Sequence, residues 1–117
     1  MYLTEQFIRT KVNLLESKIN SRFKLARFKL FDQQINGGLS ECAETLYGGV
    51  PYSGGLNNGA RVCVGLDIIN TLSEHYKFRA PIFIDNKEAI TKLIETKSQV
   101  ISLIVSEKDK KLRVEVE

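Results

Sequence analysis

The apolar positions follow two periods along the chain. Ile8, Val12, Leu15 and Ile19 lie four, three and four residues apart, one stripe of an amphipathic helix over residues 3–20. Leu3, Phe7 and Leu14 widen the stripe, Thr4 can cap the start, and Glu5 places a carboxylate in the first turn. A helix that begins so near residue 1 fits the root of a longer helix or coiled coil. Residues 23–35, FKLARFKLFDQQI, alternate imperfectly, as a strand does. Asn36-Gly37-Gly38 is a turn signal, since these residues accept positive φ, and residues 39–47, LSECAETLY, return as a second strand. Gly48-Gly49 and Pro51 end this hairpin.

After a polar loop, SGGLNNG (53–59), a second helix is predicted to start at Asn57 or Asn58 and to run to about Tyr76. Val62, Cys63, Val64, Leu66, Ile68, Ile69 and Leu72 make it apolar nearly all round, so it is expected to be central and buried. Gly65 within it suggests close approach to a strand. Asp67 is the one charge in the middle of the run and needs a partner or an edge. Residues 81–85, PIFID, read as a short strand buried on both faces. Residues 87–96 then predict a helix with Ile90, Leu93 and Ile94 inward, and residues 99–105, QVISLIV, another buried strand. That order is one βαβ unit with a right-handed crossover. A charged turn (107–111) leads to an alternating edge strand over 112–116.

The expected fold is α/β in a single domain. An N-terminal helix (1–22) and a β-hairpin (23–50) precede a small, mostly parallel sheet with flanking helices (51–117). A length of 117 residues suits one core. No apolar run approaches the roughly 20 residues of a membrane span, and MYLTEQFIRTK carries no apolar leader, which predicts a cytoplasmic protein without membrane contact. Cys42 and Cys63 fit no metal spacing and read as reduced core residues. The formal charge of +3 is uneven: residues 1–31 hold seven lysines and arginines against two glutamates. Arg22, Lys24 and Arg27 in that segment are candidates for DNA contact, although a solvated helix face carries such charge equally well.

Candidate chemistry centres on residues 51–86. A Ser53-Gly54-Gly55 loop before a helix can hold a phosphate, because free N–H groups and the helix dipole favour negative charge. Asn57 extends this candidate cofactor-binding set. An acid ending an apolar strand, Asp85, can hold Mg²⁺ or a catalytic water; it can equally cap the following helix. Glu88, one turn on, can polarise a water or favour the helix dipole. His75 sits in a polar helix end and no Ser-His-acid or Cys-His set exists. A phosphate-cradling GxxxxGK[ST] loop is absent from the sequence.

The succession of hairpin, Tyr52-Ser53-Gly54-Gly55 loop, long helix, Ile82-Phe83-Ile84-Asp85 strand, helix and apolar strand resembles the C-terminal lobe of ABC-type ATPase heads. Within them it resembles the SMC, RecN and SbcC group, specifically the phage and bacterial SMC-like coiled-coil ATPases of DNA repair and chromosome maintenance. The resemblance implies that residues 3–20 root a coiled-coil arm. It implies that Ser53-Gly54-Gly55 is a signature motif binding the γ-phosphate of ATP held by a second head. It also implies that Asp85 is the Walker B acid positioning Mg²⁺ through water. Heads of this kind act as homodimers, each completed by an N-terminal P-loop lobe, so the chain alone is expected to be inactive. Three positions depart from the pattern: Leu56 replaces the usual Gln or Glu, Asn86 stands where the catalytic glutamate falls, and Ser106 stands near the switch histidine. The general base is therefore open, with Glu88 the nearest substitute. The alternative is a self-contained α/β interaction or oligomerisation module without catalysis, which should leave no large apolar face exposed.

Overall fold

The computed structural model describes residues 2–116. Helix α1 spans Tyr2–Asn20, and strands β1 (Arg27–Gln33), β2 (Leu39–Tyr47) and β3 (Val50–Pro51) follow. Helix α2 spans Asn58–Tyr76, and the short strands β4 (Ile82–Ile84) and β5 (Val100–Ser102) come last. The first three strands form an antiparallel sheet in chain order, whereas β4 and β5 pair in parallel, Ile82 opposite Val100.

Helix α1 is amphipathic in a way the periodicity does not predict. None of its residues is buried. The half-buried face that meets the hairpin carries Arg9, Val12, Glu16, Ile19 and Asn20. Leu3, Phe7 and Leu14 point the other way, at 80, 68 and 65 % exposure. The single apolar stripe is thus two faces, and the inner one holds by polar bonds. Asn20 accepts from the Phe28 N–H (2.7 Å) and donates to the Phe28 carbonyl (3.0 Å). The register of β1 against β2 shifts between Lys29 and Phe31. Such a bulge leaves backbone donors without ladder partners, and Glu16 accepts from Leu30 and Phe31 there (2.6 and 3.1 Å). Arg9 donates to the Gly37 carbonyl at the hairpin tip, where Gly37 has φ +83°.

Residues 23–26 are not strand, contrary to expectation. They form a bend between α1 and β1, held by a carboxylate described below. The core is small: Leu66 packs with Ile82, Ile84 and Ile90, flanked by Val62, Leu93 and Ile94. Within α2 only Val64, Leu66 and Asp67 are buried, and Ile69 and Leu72 face solvent, so the helix is covered on one side rather than all round. No strand approaches Gly65, because a Cβ placed there meets nothing within 4 Å.

Four further expectations fail in the C-terminal third. The buried strand expected over 99–105 is only Val100–Ser102, with Val100 and Ser102 exposed and Ile101 half-buried. β4 is buried on one face only, with Phe83 67 % exposed between the buried Ile82 and Ile84. The helix expected over 87–96 is a single 3₁₀ turn, Lys87–Ala89. Asn86 enters that turn in the left-handed region (φ 53°), and Ile90 leaves it extended (φ −115°). Ile90, Thr91, Ile94 and Thr96 are β-branched and disfavour helix, and the extended backbone delivers Ile90 to the core. The edge strand over 112–116 does not form; Leu112, Val114 and Val116 lie exposed with no neighbouring strand to pair with.

The accessible surface is 9661 Å², against about 6,500 Å² for a folded monomer of this mass. The radius of gyration is 19.2 Å, against about 13 Å for a folded chain of this length.

Candidate functional site

β3 ends at Pro51, and residues 52–55 turn directly into α2. The turn is set by the Tyr52 N–H on the Thr45 carbonyl (2.8 Å) and the Gly54 N–H on the Pro51 carbonyl (3.3 Å). Gly55 has φ +98°, and a Cβ there meets Val50 Cγ1 at 2.9 Å, so only glycine fits. A Cβ at Gly54 meets nothing within 4 Å; the space before it is open. Ser53, Gly54 and Gly55 are all exposed. The Asn57 side chain accepts from the Ala60 N–H (2.8 Å) as the helix N-cap. The N–H groups of Asn58 and Gly59 lie in the first turn, where no intrahelical carbonyl is available to them; the first such bond is the Arg61 N–H on the Asn57 carbonyl (3.1 Å).

Arg61 stands beside this loop. Its guanidinium carbon lies 5.8 Å from the centre of the Tyr52 ring, in cation–π range, and its Nε is enclosed without a hydrogen-bond partner. A cation so near a helix N-terminus opposes the helix dipole, which is the one sequence signal that could have singled it out. On the other side of the loop, Cys42, Ala43, Glu44, Thr45, Tyr52 and Ser53 line a shallow groove of about 470 Å³.

Asp85 lies in the exposed turn after β4. One of its oxygens accepts from the adjacent Asn86 N–H (2.9 Å). With no helix over 87–96, Asp85 caps none; the residue before the 3₁₀ turn is Asn86, whose side chain makes no capping bond. Asn86 holds a left-handed backbone, a region that Asn tolerates far better than most residues. Glu88 is exposed within the turn. The end of β5 is brought against this turn by the Lys87 N–H on the Leu103 carbonyl (3.2 Å), whereas Ser106 bonds Asp109 (2.7 Å).

Comparison with family models, curated proteins and solved structures finds no match.

The two candidate centres are separate within the chain. β4 packs on Leu66, eight residues beyond Asn58 and roughly 12 Å along the α2 axis. Among the described residues no hydrogen bond or ion pair joins residues 53–55 to Asp85 or Glu88, and no group of three or more His, Cys, Asp or Glu converges to hold a metal. Asp85 is a single exposed carboxylate, one oxygen of which is taken by the Asn86 N–H. Of the basic residues proposed for DNA, Arg22 and Lys24 are exposed. Arg27 is partly committed, donating to the Phe23 and Ala26 carbonyls (2.9 and 2.8 Å). No helix among the described residues is long and apolar enough to cross a membrane.

Asp67 finds its partner in the backbone. It is 2 % exposed and accepts from three consecutive N–H groups, those of Lys24 (3.2 Å), Leu25 (2.7 Å) and Ala26 (2.9 Å). Charge-assisted bonds of this kind compensate the burial of a carboxylate. Nothing local in the sequence marks residues 24–26 as its donors.

Proposed function

We propose that this chain is the C-terminal nucleotide-binding lobe of an SMC-like ATPase acting on DNA. The observation that carries the reading is the exposed Ser53-Gly54-Gly55 turn feeding the uncovered N-terminus of a 19-residue helix, with Arg61 beside it. That arrangement suits a terminal phosphate presented from outside: the Ser53 hydroxyl and the Gly55 N–H donate to its oxygens, while the Gly54 N–H stays on the Pro51 carbonyl and holds the turn, and Arg61 adds charge. Asp85 serves a different phosphate, on its own side, by orienting a water of Mg²⁺; Glu88 is the carboxylate nearest in sequence to polarise an attacking water. ATP and Mg²⁺ act only when an N-terminal P-loop lobe supplies the remaining phosphate contacts, and two heads close as a homodimer. Arg22 and Lys24 are the exposed cations at the root of α1 for the DNA backbone, with Arg27 contributing through the N–H groups its backbone bonds leave free.

The surplus of about 3,000 Å² over a folded monomer supports a lobe that is completed by another. It exceeds the area each partner gives to most obligate interfaces, roughly 1,000–2,500 Å². Exposed apolar side chains contribute to it, among them Phe83, Val100 and Leu103 on and after the β4–β5 pair and Ile69 and Leu72 on α2. A self-contained interaction module predicts no such face. Two measurements test the reading. Purified 1–117 should show no ATP hydrolysis, and turnover by it alone would refute the half-site. In the protein completed by its P-loop lobe, Ser53→Arg should abolish ATP-driven dimerisation; an unaffected dimer would refute the role of the loop.

A further inference from the structure

The polar bonds of α1 and Asp67 form one connected series. Asn20 and Glu16 fix α1 to the outer edge of β1, and the three N–H groups held by Asp67 are those of the segment joining α1 to β1. Asp67 is the tenth residue of α2, the helix whose first residue follows the Ser53–Gly55 turn and its cap. The two helices therefore meet through a carboxylate and a run of backbone amides, with only Ala26 buried in that segment. An apolar contact tolerates sliding, because dispersion is non-directional, whereas three hydrogen bonds to one carboxylate fix direction.

We propose that Asp67 is the joint that ties the direction of α1 to α2, so that engagement of Ser53–Gly55 by a partner's phosphate is passed to α1. The second half of this statement rests on the proposed function; the first does not. The lever is long. Helix α1 extends about 28 Å, so a swing of about 20° at its root carries its far end about 10 Å. Asparagine cannot replace Asp67 fully. Its single carbonyl oxygen can keep the Leu25 and Ala26 bonds, but its NH₂ then faces the Lys24 N–H, donor against donor.

The joint is tested on the chain itself by spin labels at Lys11→Cys on α1 and Glu74→Cys on α2, both exposed positions, in a Cys42→Ser, Cys63→Ser background. A single narrow distance is expected with Asp67. Lys11 lies about 14 Å from the root of α1, so Asp67→Asn should broaden the distance or move it by about 5 Å for the same swing, while helix content by far-UV CD is kept. A purely stabilising role would lower the melting temperature and leave the folded-state distance unchanged, which would overturn the proposal. If the Asn variant fails to fold, amide exchange of the parent decides. The Lys24, Leu25 and Ala26 amides should exchange at least about tenfold slower than free loop amides, and unprotected exchange would overturn the joint. The transmission is tested in the completed protein, with labels on α1 of both heads. ATP should change their separation in the parent, and Asp67→Asn should suppress that change while dimerisation persists. An unaltered response would overturn transmission. A protein in which ATP drives no dimerisation at all would instead refute the proposed function, leaving the joint to the label and exchange measurements.

Discussion

Gly65→Ala should stabilise this chain. The residue lies in the interior of α2, where glycine is about 1 kcal/mol less favourable than alanine because it restricts more on folding and shields less backbone. The gain is realised only if the new methyl has room, and here a Cβ meets no atom within 4 Å. Unfolding entropy near the melting temperature is about 2.1 cal/mol/K per residue, or roughly 0.25 kcal/mol/K for 117 residues. A gain of 1 kcal/mol then raises the melting temperature by about 4 °C. Thermal unfolding followed by far-UV CD reads this directly, and urea titration should give a higher midpoint with an unchanged slope. A variant that melts lower would mean that the methyl strikes a neighbour. The close strand suggested by the sequence would then exist and the one-sided packing of α2 would be wrong.

The opposite outcome is expected at Gly55→Ala. Positive φ and the 2.9 Å approach to Val50 should cost about 1–2 kcal/mol in chemical denaturation and disturb the loop; a neutral effect would refute the turn geometry. Asn57→Ala should cost about 1 kcal/mol by removing the cap bond to Ala60, and an unchanged stability would mean the side chain is free for ligand rather than for the helix. The exposed pair Lys29–Asp32 (2.9 Å) holds the Asp32 carboxyl below its ordinary range and the Lys29 ammonium above its own, through their hydrogen bond first and their charges second. The Asp32 contribution is therefore present above the unfolded carboxyl value and lost as pH falls through the lowered folded one. That of Lys29 is present below the unfolded lysine value and lost as pH rises through the raised one. An NMR titration should show Asp32 returning to the ordinary range in Lys29→Ala, with little change in overall stability because the pair is solvated.

What could be read from the sequence is what local chemistry decides. The Asn36-Gly37-Gly38 turn, the strand Leu39–Tyr47, the cap at Asn57 and the end of α2 at Tyr76 all follow from turn, cap and period rules, and the structure has them. The coarse α/β order, helix then hairpin then parallel pair, follows too. The failures have different causes, some distant and some local. Residues 23–26 leave the strand because Asp67, more than forty positions away, holds their amides. Residues 87–96 carry apolar positions at helical spacing, yet their β-branched members and the left-handed Asn86 admit one turn only. Residues 112–116 alternate as a strand should, but alternation supplies no neighbour to pair with. In the site, the Ser53–Gly55 loop and Asp85 were visible as motifs, whereas Arg61 gained meaning only from the Tyr52 ring it covers.

The polar face of α1 has a consequence for how this chain avoids wrong partners. An unpaired strand edge is a template on which any other strand can crystallise. On the antiparallel sheet the β1 edge is blunted by the Asn20 and Glu16 side chains, whereas the two residues of β3 cover only the Leu46–Tyr47 end of β2 and leave Leu39–Glu44 without a strand partner on that side among the described residues. Among the described residues no further strand flanks the β4–β5 pair. Strand addition, correct or aberrant, is thus turned away from β1 and left two places to start, the open length of β2 and the β4–β5 pair. During synthesis or dilution, aggregation should nucleate at those edges and not along β1.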